Sequence, residues 1–520
     1  MQEYDDIKGD RFVLICKPEQ SGKTFVMLQQ IIKDLEEPNG DKEVINFILC
    51  DNSLLLTRQT SSRIDSELTP FYINGETYIE FSSSVNGKAC KDYNAVIAKI
   101  TCDDIRNVIC CTNKPRVKDI EKIIESLNRS KMFHDKFIFK IWLDEADKYL
   151  TFISNAFKPV IETLDNVYLY CLTATPKTLF DKYKYMNVFP LEQTITETYH
   201  GWEDNNRVIL ENITGTAIGF IHEVISSHPE NVLPGTKWYI PGENKKSSHE
   251  IIRDMLVGKG LAVFIVNGDG ISLTIPDRAF KKIHQDKTDE LNKQIIKMYN
   301  EYNLEQYPVA ITGYICIGRG ITIMSEEFIF DYGILSNCNK KAEASQNAGR
   351  LKGNIKSWSN YKPPTVYTTH KFDEIASEWE WKSRNLAKIA FEKDAEQPSK
   401  ITKSEFKKIT SSNEDDKWDL IMDEFDTLRE ANILLKKHGF NNRNDTRYKE
   451  DDNGFITSSL TQEKEILKYE DVKLAMENWS KIANLDVKGN KKKGSRIYIC
   501  YKDLLDNKSI VYIVRIALKK

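Results

Sequence analysis

The residues with the clearest chemistry lie in Lys17–Thr24, KPEQSGKT, between the apolar run Phe12–Cys16 and a helical pattern over Phe25–Leu35. A strand, a tight turn and Gly-Lys-Thr opening a helix suit a polyphosphate, whose oxygens meet backbone N–H groups and the helix N-terminus. Gln20, Ser21 and Gly22 would form the turn, Lys23 would reach the terminal phosphates, and the Thr24 hydroxyl would ligate Mg2+. The usual first glycine of such a loop is Lys17 here. A second constellation follows the apolar-rich run Phe137–Leu143, which leads into Asp144-Glu145-Ala146-Asp147. Asp144 would hold Mg2+ through water and Glu145 would polarise an attacking water, the acidic half of a nucleotide-hydrolysis site. An acidic helix start explains the same residues by the helix dipole alone. What favours the chemical reading is order: SGKT lies before, and a third strand, Val167–Cys171, ends after it in Leu172-Thr173-Ala174-Thr175-Pro176.

The elements that must position these groups alternate. Strands are expected over Phe12–Cys16, Ile45–Cys50, Ala95–Ile100, Val108–Cys111, Phe137–Leu143 and Val167–Cys171. Helices are expected over Thr24–Leu35, Leu54–Ser66, Val117–Asn128 and Ala146–Leu164. Continuous apolar strands separated by helices predict a parallel sheet covered on both faces, with ligands at the strand C-terminal ends. Residues 177–205 carry no strong period and read as a hinge. A second alternating region follows, with strands at Lys237–Ile240, Leu261–Val266, Tyr307–Ile317, Phe328–Leu335 and Pro364–Thr369. A long helix over 371–395 carries Trp379 and Trp381, expected to pack. Glu396–Lys417 reads as a polar linker, Trp418–His438 as an amphipathic helix, and Asn441–Asn453 as a loop. Arg496–Tyr501 and Ile510–Ile516 read as a β-hairpin.

In this order the motifs resemble those of superfamily 2 helicases of the DEAD/DEAH-like kind. SGKT at 21–24, DEAD at 144–147 and TAT at 173–175 look like motifs I, II and III. Gly318-Arg319-Gly320-Ile321-Thr322 looks like motif V, and Gln346-Asn347-Ala348-Gly349-Arg350 like motif VI. The resemblance covers roughly residues 10–390 and is closest to divergent helicases of large DNA viruses and phages, as DNSLLLTRQTSSR at 51–63 suggests. It implies an α/β fold: two RecA-like parallel-sheet domains in tandem, 1–195 and 196–395, plus a C-terminal α+β accessory domain, 396–520. It also implies ATP as cofactor, with Gly320 and Thr322 facing the nucleotide and Gln346 and Arg350 completing catalysis from the second domain. Nucleic-acid contacts are expected from Arg58, Thr60 and Arg63 at motif Ia, from Thr112 and Asn113, from Lys245 at the place of motif IV, and from Tyr314. Two departures stand out. The second motif VI arginine is Gly353, with Lys352 beside it as a substitute that lacks the guanidinium fork. No upstream glutamine motif has an obvious home, and Tyr4 is the aromatic available to stack on a base.

Composition narrows the rest. Among 520 residues, 74 Lys and Arg against 77 Asp and Glu give a net charge of -3, so any basic surface is local. The ten cysteines lack metal-type spacing and read as reduced thiols. No signal peptide or membrane-length apolar run is seen, which predicts a cytoplasmic protein, viral or virion-associated if the subfamily likeness holds. The expected enzyme is an ATP hydrolase that unwinds, translocates on or remodels single-stranded or partly duplex DNA or RNA, alongside other replication or transcription proteins. Two other functions fit the same residues: a nucleic-acid-binding scaffold with a degenerate motor, and a motor subunit of a larger viral transcription or replication complex. The lysines Lys488, Lys491, Lys492 and Lys493 with Arg496 form a further basic cluster.

Overall fold

The structure, a computed structural model, describes residues 11–37, 41–51, 54–72, 75–82, 89–130, 132–133, 135–243, 245–267, 270–278, 281–283, 290–314, 323–409, 418–438, 440, 448–458, 466–477, 481–482, 485–486 and 494–519. The chain divides into two compact units, Met1–Thr410 and Ser411–Lys520.

Eight strands of the first unit open the chain: β1 (Phe12–Cys16), β2 (Glu43–Cys50), β3 (Ile79–Phe81), β4 (Ala89–Cys90), β5 (Asn107–Cys111), β6 (Phe137–Leu143), β7 (Val167–Thr173) and β8 (Tyr185–Val188). They lie in the order β8-β1-β7-β6-β2-β5-β3-β4, all paired parallel. β1, β6 and β7 are buried in near-continuous runs, as a sheet covered on both faces requires. This order places the ends of β1, β7 and β6 side by side, so SGKT, TAT and DEAD meet although more than a hundred residues separate the first from the second.

The expected strand Ala95–Ile100 is instead inside the helix Tyr93–Cys102. Asp92 caps it by accepting from the Asn94 and Ala95 N–H groups at 2.9 and 3.1 Å, and Val96 and Ile100, four apart, form its buried stripe. The expected hinge also contains structure, a helix over Lys177–Lys182 and then β8.

A second sheet follows β9 (Tyr199–His200). β9 pairs apart from it with a strand at Gly353–Asn354. The sheet proper holds β10 (Asn206–Ile209), β11 (Lys237–Tyr239), β12 (Ala262–Asn267), β13 (Gly270–Thr274), β14 (Lys281–Ile283), β15 (Val309–Gly313) and β16 (Tyr332–Leu335), with a further strand at Thr365–Thr368. Its order is β10, Thr365–Thr368, β16, β11, β15, β12, β13, β14. The pairs are parallel except for the antiparallel edge of β12, β13 and β14. The two tandem parallel-sheet domains are as expected.

Their boundary with the accessory region is not. The long helix His370–Lys393 packs back toward the first sheet: the Ser383 hydroxyl donates to the Ala174 carbonyl, and the Cys16 thiol contacts the Ser383 carbonyl at 3.7 Å. Ser399–Thr402, inside the expected linker, pairs antiparallel with β8 and extends the first sheet to nine strands. Ile401 is fully buried, and Phe406 stacks on Phe180 with centroids 4.2 Å apart. The linker reading failed because the segment is polar on its open side and holds only these few apolar anchors. A chain ended after Glu396 is therefore expected to lose about 3–6 kcal/mol, from the burial of those two side chains. One ended after Thr410 should melt as the first unit does. Denaturant melts of the two truncations check this.

The second unit is α+β, as expected, but its first element differs. Trp418–Phe425 is a strand, paired antiparallel with Ile510–Lys519, and the helix is only Leu428–Lys437. Thr427 caps that helix by accepting from the Glu430 N–H at 3.3 Å, a Thr-x-x-Glu signal present in the sequence. The hairpin of Gly494–Tyr501 and Ile510–Lys519 forms, and Leu467–Lys468 completes a four-stranded sheet. Ile497, Ile499 and Tyr501 pack with Ala431 and Leu435 on one face, while Tyr498 and Cys500 pack with Val472 on the other. Tyr448–Glu450 is a strand within the expected loop. Lys488 and Lys491–Lys493 lie outside the described residues, and Arg496 is placed in a strand.

Candidate functional site

The loop after β1 turns by left-handed backbone at Gln20 (φ 58°) and Gly22 (φ 92°), the second of which glycine adopts without strain. The helix Lys23–Glu36 then starts with Lys23 and Thr24 at its open end. The Ser21 side chain turns inward: it is buried, and its hydroxyl donates to the Pro18 carbonyl at 2.7 Å. Lys17 is buried as well, and burial, then Lys23, lower its pKa. Its backbone N–H joins the Thr173 carbonyl at 3.3 Å. The residue in the place of the first glycine is thus a structural link from β1 to β7.

After β6, Asp144 receives the Glu145 N–H at 3.0 Å, and Glu145 sits in the left-handed region (φ 51°), buried, as the last residue before the helix Ala146–Thr163. A non-glycine residue held there is backbone strain stored at the site. Burial raises the Asp144 carboxyl, against the opposing pull of Lys23 and the Glu145 N–H. Asp147 accepts from the Thr173 hydroxyl at 3.1 Å, and the Thr175 N–H donates to the Thr173 oxygen at 3.0 Å. The ends of β6 and β7 are bonded to one another.

The second domain supplies the opposite wall. β16 leads into the helix Lys341–Ala348 and a short turn at Gly349–Leu351. The Gln346 amide donates to the Glu145 carboxylate at 3.3 Å, across the two domains. Arg350 is buried, with its Nε near the Gln346 carbonyl at 3.5 Å and the charges of Glu145 and Glu19 bearing on it. Gly349 must be small, since a Cβ there would lie 2.6 Å from the Glu19 Cβ. A cavity of about 350 Å³ results, lined by Gln20, Gly22, Lys23, Thr24, Asp144, Glu145, Gln346 and Arg350, with Phe25, Arg63, Glu67 and Asn354 at its margins. The Thr24 hydroxyl and the Asp144 carboxylate face it as two oxygen donors. That donor set fits magnesium, whose remaining positions phosphate and water oxygens would fill.

Two features were not foreseen. Glu19 is a buried hub: Ser345 donates to it at 2.7 Å, Lys352 pairs with it at 3.2 Å, and the Tyr199 hydroxyl donates to its carbonyl at 3.0 Å. Lys352, read as a substitute for an arginine, is fully buried between Glu19 and Glu380, 2.9 Å from the latter, and does not line the cavity. Gly353 has φ 144°, and a Cβ there would approach the Gln20 Cβ to 3.4 Å, so a large side chain at this position would strain the loop. Secondly, Arg63 leaves its expected nucleic-acid face. Its guanidinium, exposed at the cavity's margin, donates to the Thr24 hydroxyl at 3.3 Å.

The other expected strand contacts are mixed. Arg58 pairs with Glu80 at 3.4 Å, and Thr60 is half-buried beside the Cys50 thiol. The Thr112 hydroxyl donates to the Cys50 carbonyl at 2.6 Å, and Asn113 caps a helix by accepting from the Arg116 N–H at 3.2 Å. Both are committed to the fold. Tyr314 is 9 % exposed and donates to Glu343, whereas Lys245 is exposed at a helix start. Gly318, Arg319, Gly320 and Thr322, together with Tyr4, lie outside the described residues. Among the described residues, no helix is long and apolar enough to cross a membrane.

No protein-family model and no curated protein matches this chain. Solved structures do. A doubly truncated Mss116p bound to single-stranded RNA and AMP-PNP is 14% identical, covering 84% of this chain and 78% of that one, with a TM-score of 0.39. A point variant of S. cerevisiae Dbp5 bound to RNA and ADP-beryllium fluoride is 15% identical over 73% and 83%, with a TM-score of 0.39. The NS3-like helicase from Alongshan virus is 10% identical over 70% and 73%, with a TM-score of 0.34. The likeness is one of general architecture, and the chemistry rests on this chain's own residues.

Proposed function

We propose that the chain is a nucleic-acid-dependent ATPase of the helicase type, which hydrolyses ATP between its two parallel-sheet domains to unwind, translocate on or remodel DNA or RNA. The observation that carries this reading is the Gln346–Glu145 bond at 3.3 Å, which joins the candidate water-polarising carboxylate to the second domain on the wall of one polar cavity. Lys23 and the loop N–H groups bind the phosphates. Magnesium held by Thr24 and Asp144 would neutralise phosphate charge. Glu145 orients the water and accepts its proton, and Gln346 holds that carboxylate in place. Arg350 approaches the charge that develops in transfer only while the domains are together. Single-stranded nucleic acid lies across the helix Leu54–Leu68, which carries Arg58 and Thr60, and the helix start at Lys245.

Turnover with single-stranded DNA, single-stranded RNA and duplexes tests the reading. Lys23→Ala should abolish it. Glu145→Gln should keep nucleotide binding and lose about 10²–10⁴ in hydrolysis, the worth of a general base. Turnover that survives both changes would place the activity elsewhere. If the grip is on phosphates, affinity for a single strand should fall with salt, with a log–log slope of roughly 0.7 per contact. An interaction indifferent to salt would contradict that mode of binding.

A further inference from the structure

Arg63 lies on the helix Leu54–Leu68, which starts just beyond the end of β2 and would be read as a strand-contacting element. Its side chain nevertheless turns to the nucleotide cavity, where Nη1 donates to Thr24 Oγ1 at 3.3 Å. Two carboxylates bear on its charge: Asp144 at the end of β6, and Glu290, which precedes the second-domain helix Leu291–Glu301. The guanidinium therefore sits on Thr24, one of the two side chains whose oxygens suit magnesium, within the field of the other, Asp144. Two cations compete for the Thr24 oxygen. A hydroxyl lone pair engaged by an N–H is withdrawn from a metal, and two positive groups at that spacing repel.

We propose that Arg63 is the exchangeable cation of this cavity: it holds the Thr24–Asp144 edge and yields it to magnesium as the metal nucleotide enters. The inference rests on the nucleotide-site reading above. When Arg63 yields, its guanidinium stays within the field of Glu290 and of the incoming phosphates. Arrival of the metal nucleotide is thereby transmitted to the helix Leu54–Leu68 and to the second domain through one side chain. The competition also sets how much magnesium the site needs.

The test is Arg63→Gln in the full chain, which keeps polar bulk and removes the charge. A fluorescent ATP analogue is titrated by anisotropy against magnesium, and again in EDTA, with a thermal melt to confirm folding. Removing the competing charge should lower the magnesium concentration at half-saturation by about fivefold, the scale of a partly exposed ion pair. In EDTA the variant should bind the analogue more weakly than the unsubstituted chain, having lost a phosphate-neutralising cation. An unchanged or raised magnesium requirement in a folded variant overturns the exchange. So does a loss of single-strand affinity with the magnesium titration unmoved, which would return Arg63 to the nucleic-acid face. Failure of the unsubstituted chain to bind the analogue at any magnesium concentration would sink the nucleotide-site reading itself, a result distinct from either.

Discussion

Arg350→Ala is expected to lower stimulated turnover by about 10³–10⁵, the worth of an arginine finger in phosphoryl transfer. Gly353 stands where a second arginine would, in a backbone conformation of φ 144° against Gln20, and Lys352 is committed to Glu19 and Glu380. Among the described residues, Arg350 is therefore the second-domain cation on the cavity wall. Its guanidinium is buried, and burial lowers its pKa against the opposing pull of Tyr239 and Glu145. Nucleotide affinity should change far less, because Lys23, Thr24 and Asp144 belong to the first domain. Arg350→Lys should recover little, since an ammonium lacks the planar fork. Single-turnover hydrolysis beside equilibrium nucleotide binding separates the two effects. A loss of turnover under tenfold would move the finger to Arg319 or to another chain.

Lys352→Met is expected to cost about 3–5 kcal/mol of stability, because it removes the cation that two buried carboxylates share. Lys352 is fully buried, and Glu380 also accepts the Trp202 N–H at 2.8 Å and pairs with Arg384. Burial opposes the charge on Lys352, yet Glu19 and Glu380 outweigh it and hold its pKa above the ordinary value. Burial likewise opposes the Glu380 charge, and Lys352 with Arg384 outweighs it and holds that carboxyl below its usual range. A depressed carboxyl stabilises the fold above its unfolded pKa, and this contribution fades as pH falls through the folded value. A raised lysine stabilises below its unfolded pKa and is lost as pH rises through the folded value. The network therefore contributes fully across neutral pH, where the substitution should do its full damage. Urea melts at neutral pH measure the loss. Adding Glu19→Gln and Glu380→Gln to Lys352→Met should restore part of it, since no buried carboxylate then remains uncompensated and Arg384, which loses Glu380, is partly open to water. If the triple substitution is no better than the single one, shape and not charge governs this contact.

Order along the chain disclosed which residues the first sheet brings together. SGKT, DEAD and TAT each sit at the end of an apolar strand, whereas QNAGR closes the helix Lys341–Ala348. A parallel sheet covered on both faces has only one place for the first three, its C-terminal edge. The Gly-Lys-Thr helix start and the acidic pair are local patterns, and local patterns survive in sequence. The elements that were misread were those in which short apolar runs fit two periods. AVIAKI became a helix because Asp92 caps it, and WDLIMDEF became a strand because Ile510–Lys519 pairs with it. Ser399–Thr402 had too few apolar residues to announce that it closes the first sheet.

Tertiary structure alone decided where long side chains point. Arg58 and Arg63 are five apart on one helix, and sequence gives them one role. Their placement puts one beside Glu80 and the other on Thr24. Lys352 follows a motif arginine closely enough to seem its stand-in, yet it is drawn inward by Glu19 and Glu380, from distant segments. The physical reason is the same in each case. Backbone elements follow from the period and chemistry of neighbouring residues, but a flexible charged side chain follows the opposite charge nearest in space, and folding alone brings that charge near.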